Sequence, residues 1–475
     1  MGRKSSLRKL ALGQTSPKSS LSSPTSPHAS TEKVAPTDLE RQATVQEGEQ
    51  KFHRLSWQSL TVCLIVEAIA LGSLSLPAAF AAVGMVAGVL LCVGIGLIAI
   101  YTSYVVGQVF IKHPDVRHYP DAMRLLGGRP LELLGNVMLP LFLVLIVGSH
   151  VLTGTIAFIS IADKPVMCAL GWGAISAAVL FAVALPPTFH DLAFLGYIDF
   201  CSILIAIGIT MVTTGVQAHS GPGGLAAVEW SVWPPADMSF YKAFLATTNI
   251  VFAYSFAVCQ FSFMVELHTP KDYVKSIWAL GLIEIVIYTV VGAVIYAFVG
   301  QDVESPALLS AGHTVKRIAF GVALPVIFIS GSINTTVLAR LIIDRAFKDS
   351  EIRFVNSKAG WLVWIALVAV ITVLSWVVAE AIPFFSALLG LISSLFISGF
   401  SFYFPALFWF RLIKKGKWNA SRHNVCLSIV NAVVLVIGVA ILGCGTYASV
   451  MEIVTQYQSG SVRGSFTCDN SSYMK

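Results

Sequence analysis

The sequence predicts an all-α polytopic membrane protein with eleven transmembrane helices. Three observations predict it. Of 475 residues, 56% are hydrophobic and only 12% charged, with a mean hydropathy of +0.77. Apolar runs of roughly 20 residues, each long enough to cross a hydrocarbon core ~30 Å thick, recur from Trp57 onward. Lysines and arginines collect in alternate loops. A soluble protein carries about 25% charged residues, so half that fraction leaves too little polar surface to face water. A soluble enzyme, a disulfide scaffold and a nucleic-acid binder are excluded together. The net charge of +6 does not restore the last, because the basic residues sit at loop ends rather than along one stripe.

Residues 1–54 are rich in Ser, Pro and Lys, with Ser-Pro pairs beginning at Ser16, Ser23 and Ser26. Such a stretch buries too little apolar area to offset its ordering entropy and reads as a disordered cytoplasmic tail. Its basic start, Arg3 to Lys9, precedes no apolar segment of the kind a secretory signal needs. The apolar runs then fall at about 57–82, 84–111, 131–161, 171–187, 192–218, 240–267, 275–300, 317–344, 359–379, 382–412 and 423–450. Runs this long and uniformly apolar span lipid as helices. Ten of them form two five-helix repeats, about 57–218 and 240–412, and the run at 423–450 is an extra helix. Together they make a transmembrane domain of 55–451, followed by an extracytoplasmic tail at 452–475.

Orientation follows from the basic residues. With the N-terminus inside, the cytoplasmic loops hold Lys112, Arg117, Arg124 and Arg129, then Lys271 and Lys275, then Arg345 to Lys358, then Arg411 to Arg422. The opposite loops hold only Lys164, Lys316 and Arg317. Six of the eight cysteines lie inside apolar runs, where they act as small hydrophobes, and no CxxC pair supports a metal or redox site. No metal and no cofactor are expected, and no nucleic acid.

Two runs carry signs of interruption. In the first, Ile69 to Pro77 contains Gly72, Ser73, Ser75 and Pro77. Proline removes a backbone donor, and serine side chains compete for backbone groups. An unwound segment near the bilayer midplane is therefore expected, lining an enclosed cavity. In the sixth run, Asn249 to Phe256 lacks Gly and Pro, but lies five spans after the first, as inverted repeats require. Paired interruptions of this kind point to a transporter's substrate site.

The stretch from Glu67 to Pro77 resembles the first-helix signature of the amino acid/auxin permease family, within which the chain is similar to the fungal neutral amino-acid permeases. Gly148 to Thr153, Thr248 to Tyr254 and Pro270 to Lys275 continue the resemblance, which covers the chain from Trp57 to the C-terminal tail. One departure is Ser255-Phe256-Ala257, where many family members carry a small residue, Gly and His. The resemblance implies a LeuT-type fold of five plus five inverted helices with one added, a proton-coupled cycle, and free amino acids as substrates. A zwitterion suits such a break, its carboxylate meeting free N–H groups and its ammonium free carbonyls. The expected substrate residues are Gly72, Ser73, Leu74 and Ser75 with Phe252, Ala253, Tyr254, Ser255 and Phe256, in apolar surroundings that favour neutral side chains.

Ionisable residues within spans are costly and mark function by default. Glu67, Glu284 and His150 are the candidates for proton coupling, and His150 also for contact with substrate. Each has a structural alternative as an interhelical hydrogen-bonding group. Asp199 and Glu266 read as interface charges. Ser330, Ser332 and Asn334 form a candidate cation site with first-helix carbonyls, which keeps sodium coupling open beside protons. Cys168 and Cys468 are the two cysteines near the outer face and are the candidate disulfide, which needs Cα atoms within roughly 7 Å. The reading is a plasma-membrane symporter of neutral amino acids, with a vacuolar location as the alternative and a receptor or channel as the alternative class.

Overall fold

The computed structural model describes residues 55–162, 167–347, 350–459 and 463–469, so the expected N-terminal tail at 1–54 lies outside the described residues. All described residues fall in one compact unit. The helices are α1 (Trp57–Val83), α2 (Met85–Lys112), α3 (Tyr119–Ala162), α4 (Ala169–Val183), α5 (Phe189–Ser220), α6a (Phe240–Ala253), α6b (Gln260–Val265), α7 (Tyr273–Val299), α8 (His313–Ala346), α9 (Lys358–Ala381), α10 (Phe385–Ile413) and α11 (Arg422–Ser459). Nine helices among the described residues are long and apolar enough to cross a membrane. The other two expected runs fall on α4, only 15 residues long, and on the α6a–α6b pair, which is interrupted. This is an all-α membrane architecture.

Local chemistry explains several boundaries. The Ser56 side chain accepts a hydrogen bond from the Ser59 amide and caps α1. Gly84, with φ of +85°, turns the chain directly from α1 into α2, and an added Cβ there would lie 2.5 Å from the Trp233 backbone. The start of α3 bends at Gly127–Gly128, so its membrane-spanning part begins near where the apolar run predicts. The end of α11 runs past the expected boundary at 450 and reaches Ser459.

The packing repeats itself. α1 lies against α5, α6a and α7, while α3 lies against α4, α8 and α9. α5 packs on α1 and α8, and its counterpart in the second half, α10, packs on α6a and α3. These pairings are those of two five-helix halves interlocked, with α11 outside them against α6a and α10. Three helices are central: the apolar stretches of α1, α8 and α10 are 83–94% buried, against 28–39% for the other long helices, whose remaining surface suits lipid.

One expectation is overturned here. The segment from Gly72 to Pro77 is not unwound, and α1 is a continuous helix through it. Pro77 leaves the Ser73 carbonyl without its usual donor, yet neighbours on several sides hold the helix, and packing overrides propensity. The serine hydroxyls fold back onto their own helix, Ser73 Oγ donating to the Ile69 carbonyl at 2.6 Å and Ser75 Oγ to the Gly72 carbonyl at 2.9 Å. Gly72 serves close approach instead: a Cβ there would lie 2.8 Å from the Ala253 Cα at the end of α6a. Asp199 and Glu266 also differ from expectation, since both are buried rather than at an interface with water.

Gly72→Ala should therefore push α1 from α6a and cost about 1–3 kcal/mol, the usual penalty for overpacking. Gly94→Ala, where a new Cβ meets nothing within 4 Å, should leave stability unchanged or slightly raised. Thermal unfolding of the two purified variants in detergent checks the contrast.

Candidate functional site at the interruption of α6

The sixth span breaks where its sequence gave the weaker signal. α6a ends at Ala253, and six residues, Tyr254 to Cys259, cross to α6b through turns rather than a continuous helix. Among them Tyr254 and Ser255 are poor helix formers, the serine because its hydroxyl competes for backbone groups. Two short turns close part of the gap: the Tyr254 amide donates to the Val251 carbonyl at 3.2 Å and the Val258 amide to the Ser255 carbonyl at 3.1 Å. The break frees the Ala253 carbonyl, and Tyr288 of α7 donates its hydroxyl to it at 3.0 Å. The ring of Tyr288 meets that of Tyr254 edge to face at 5.1 Å. A side chain from α7 thus supplies the donor that the helix itself no longer supplies.

α6b is docked by polar groups in turn. Ser103 of α2 donates its hydroxyl to the Gln260 side-chain carbonyl, and the Gln260 amide donates back to the Ser103 carbonyl at 3.1 Å. Beyond α6b, the Leu55 amide donates to the Glu266 carbonyl at 3.0 Å and the His268 amide to the Leu55 carbonyl at 2.9 Å, so the chain before α1 is strapped across this end. His118 stands between Ser262 Oγ and Asp344 Oδ2, 3.0 Å from each, and Arg345 pairs with Asp121 at 2.6 Å. These contacts tie the chain before α1, α3, α6b and α8 together at this end.

The carboxyls expected to couple protons flank the break. Glu284 lies one turn before Tyr288 on α7 and is fully buried. Glu67 of α1 is buried beside the Cys259 thiol, at the far end of the break. Neither carboxyl has an oxygen or nitrogen donor among the described residues. His150 sits apart from them, on α3, with Nε2 3.3 Å from Ser330 Oγ of α8. The candidate cation residues are partly spent: Ser332 Oγ donates to the Ile329 carbonyl at 2.7 Å and Asn334 Nδ2 to the Ser330 carbonyl at 3.2 Å. The Asn334 side-chain carbonyl is left without a partner.

Phe252, Ala253, Tyr254, Ser255 and Phe256 are at most 4% exposed, and Leu74 at the adjoining α1 wall is equally buried. The nearby open space lies one turn away, a cavity of about 420 Å³ between the C-terminal end of α1, the start of α6a, the loop before α8, and the ends of α10 and α11. Ala79, Leu245, Asn249 and Phe384 line it, with Lys242, Glu304 and Glu452. Sequence reasoning missed the three charged residues. Lys242 and Glu452 stand at the ends of apolar runs, where they read as span boundaries, and only the fold brings them to one cavity.

The C-terminal segment is fixed near the same end. Arg463, fully buried, donates to Glu380 Oε2 of α9 at 2.7 Å, and Tyr457 donates to the Ala381 carbonyl at 3.1 Å. The sulfurs of Cys168 and Cys468 lie 2.00 Å apart and their Cα atoms 4.7 Å apart.

Two interlocked five-helix halves and a helix interrupted within an apolar span are the features of a membrane transporter. The sequence profile of the family described as "Transmembrane amino acid transporter protein" matches residues 53–451, and the chain belongs to that family. It is 55% identical over 431 residues to the "N amino acid transport system protein" of Neurospora crassa, covering 90% of this chain and 92% of that one. It is 24% identical over 465 residues to "Amino acid permease 8" of Arabidopsis thaliana, covering 87% of this chain and 94% of that one. Among solved structures it is similar to MhsT in complex with L-phenylalanine, with a TM-score of 0.48 and 14% identity over 84% of this chain and 98% of that one.

Tyr288→Phe removes the hydroxyl that donates to the freed Ala253 carbonyl while keeping the ring packing. Leaving that buried acceptor unpaired should cost about 1–3 kcal/mol, read as a lower melting temperature in detergent. A wild-type melting temperature would show that the carbonyl is satisfied otherwise.

Proposed function

We propose that the protein imports neutral amino acids together with protons by alternating access around the α6 interruption. The observation that carries this reading is the pair of buried carboxyls, Glu67 and Glu284, at the two ends of the break without a cationic partner in hydrogen-bonding contact. A buried carboxylate without a partner is costly, and a proton removes the charge. Loading and unloading that proton as the break moves ties proton flow to substrate flow. One proton is sufficient: about 2.3 kcal/mol per 100 mV plus about 1.4 kcal/mol per pH unit supports accumulation of a few hundredfold.

Substrate would lie against Gly72, Ser73, Leu74 and Ser75 on one side and the backbone of Phe252 to Phe256 on the other, and His150, set apart on α3 against Ser330, is a further candidate contact. Because α1 is unbroken, the α6 break carries the free backbone groups, while α1 supplies a close-fitting wall through Gly72. The apolar and aromatic surroundings favour uncharged side chains. Sodium coupling through Ser330, Ser332 and Asn334 is the second reading, supported by the unpartnered Asn334 carbonyl. The Lys and Arg asymmetry supports a cytoplasmic N-terminus, with the cavity and the Cys168–Cys468 bridge outside, and we assign the plasma membrane as the location. The bridge would pin the C-terminal segment beside the outer cavity.

Proteoliposomes with imposed gradients test the reading. A pH gradient should drive accumulation of a labelled neutral amino acid, and a sodium gradient at equal pH should not. Glu67→Gln should abolish the pH-driven accumulation, by tenfold or more, and spare exchange of internal for external substrate. Unchanged accumulation would remove Glu67 from the coupling, and accumulation driven by sodium alone would favour the second reading.

A further inference from the structure

We propose that the Cys168–Cys468 bridge is a reducible site for external dithiols, and that opening it releases a C-terminal strap that restrains α6a through α11. The strap is residues 463–469. The inference rests on the readings that the α6 interruption moves during transport and that this end of the molecule faces outward.

The strap joins two groups of helices. The outer half of α11 packs on α6a and α10. Gly445 of α11 comes so near α6a that an added Cβ would lie 2.7 Å from Thr248, just over one turn before that helix ends. The strap that follows α11 is fastened to α9 and α4 instead. Arg463 pairs with Glu380 at 2.7 Å, both buried, and the Phe466 amide donates to the Glu380 carbonyl at 3.3 Å. Ser465 donates to the Ala381 carbonyl at 2.8 Å. Tyr457, still on α11, donates to the same carbonyl and meets Phe384 edge to face at 4.6 Å. The covalent anchor is Cys468, bonded to Cys168 directly before α4. Movement of α6a and α11 against α4 and α9 therefore pulls on this strap.

The two anchors differ in access. Arg463 and Glu380 are shut away from solvent, whereas Cys468 is exposed. Exposed disulfides are the labile ones, and an outward-facing bridge persists only while its surroundings are oxidising. Among the described residues the other six cysteines are free thiols, so a reductant has one target. A thiolate of the dithiol attacks Cys468 Sγ, the S–S bond breaks, and Cys168 leaves as thiolate. The second thiol then displaces Cys468, giving a cyclic disulfide of the reagent, and the two protons of the dithiol end on the two cysteines. While the bridge is closed, strap contacts that break are held close enough to re-form. Once it is open, the ion pair and hydrogen bonds alone decide how long the strap stays down.

The test uses the full oxidised chain, with leucine uptake in proteoliposomes beside hydrogen–deuterium exchange in nanodiscs. Dithiothreitol should raise the maximal rate of uptake about threefold with little change in apparent KM, as where a conformational step limits turnover. Removing it and reoxidising the same protein with diamide should restore the first rate, which a misfolded protein would not do. Reduction should also speed amide exchange in residues 446–459 and 463–469. The double variant Cys168→Ser with Cys468→Ser should show the fast uptake and fast exchange from the start and ignore dithiothreitol. In a protein that transports, an unchanged or lower rate on reduction would overturn the proposal, as would an equal response in the double variant. Exchange at 446–459 that ignores reduction would overturn it too, leaving transport at the break intact. Faster exchange on reduction, in a protein with no uptake in either state, would support the strap and defeat the transport reading instead.

Discussion

A polypeptide inside a bilayer has no water to satisfy its backbone, so any interruption of a helix must be answered by neighbouring side chains. The gap between α6a and α6b imposes that requirement, and much of the interior arrangement meets it. Tyr288 bonds the carbonyl freed at Ala253. Gln260 and Ser103 exchange two hydrogen bonds that fasten the short second half-helix to α2. Gly72 lets α1 come close enough to close the gap from the other side. Each of these residues would be unremarkable in a protein whose sixth helix was continuous.

The same gap organises the polar groups around it unequally. On the α6b side, the backbone pairing of Leu55 with Glu266 and His268, the His118 contacts and the Arg345–Asp121 pair tie several elements together. On the α6a side the structure keeps an open volume, bounded by Lys242, Glu304 and Glu452. The Arg345–Asp121 pair is partly exposed and individually weak, so the α6b end is held by several modest contacts rather than one strong one. The two carboxyls at the break meet no oxygen or nitrogen donor among the described residues, so a negative charge on either is costly there.

Helix order and approximate limits were legible in the sequence because lipid imposes length and apolarity on every span, and those constraints are local. The interruption was harder to read. Gly72, Ser75 and Pro77 signal unwinding by propensity, yet in a helix clamped by its neighbours the glycine serves contact and the serines bond their own turns. The real break carries neither glycine nor proline, because tertiary partners such as Tyr288 stabilise it from outside the segment. Lys242, Glu452 and Arg463 were illegible for a similar reason. Their meaning depends on cavities and partners that the chain brings together only on folding, as Arg463 shows by crossing from the C-terminal segment to Glu380.

The central claim is that substrate engages the interruption of α6 while α1 remains an intact helix beside it. Hydrogen–deuterium exchange of the protein in nanodiscs, with and without a neutral amino acid, tests it most directly. The amides of residues 254–259 should exchange readily in the free protein and slow on addition of substrate, whereas those of residues 70–76 should stay protected in both states. Fast exchange at 70–76 that substrate suppresses, with 254–259 indifferent to it, would contradict the account.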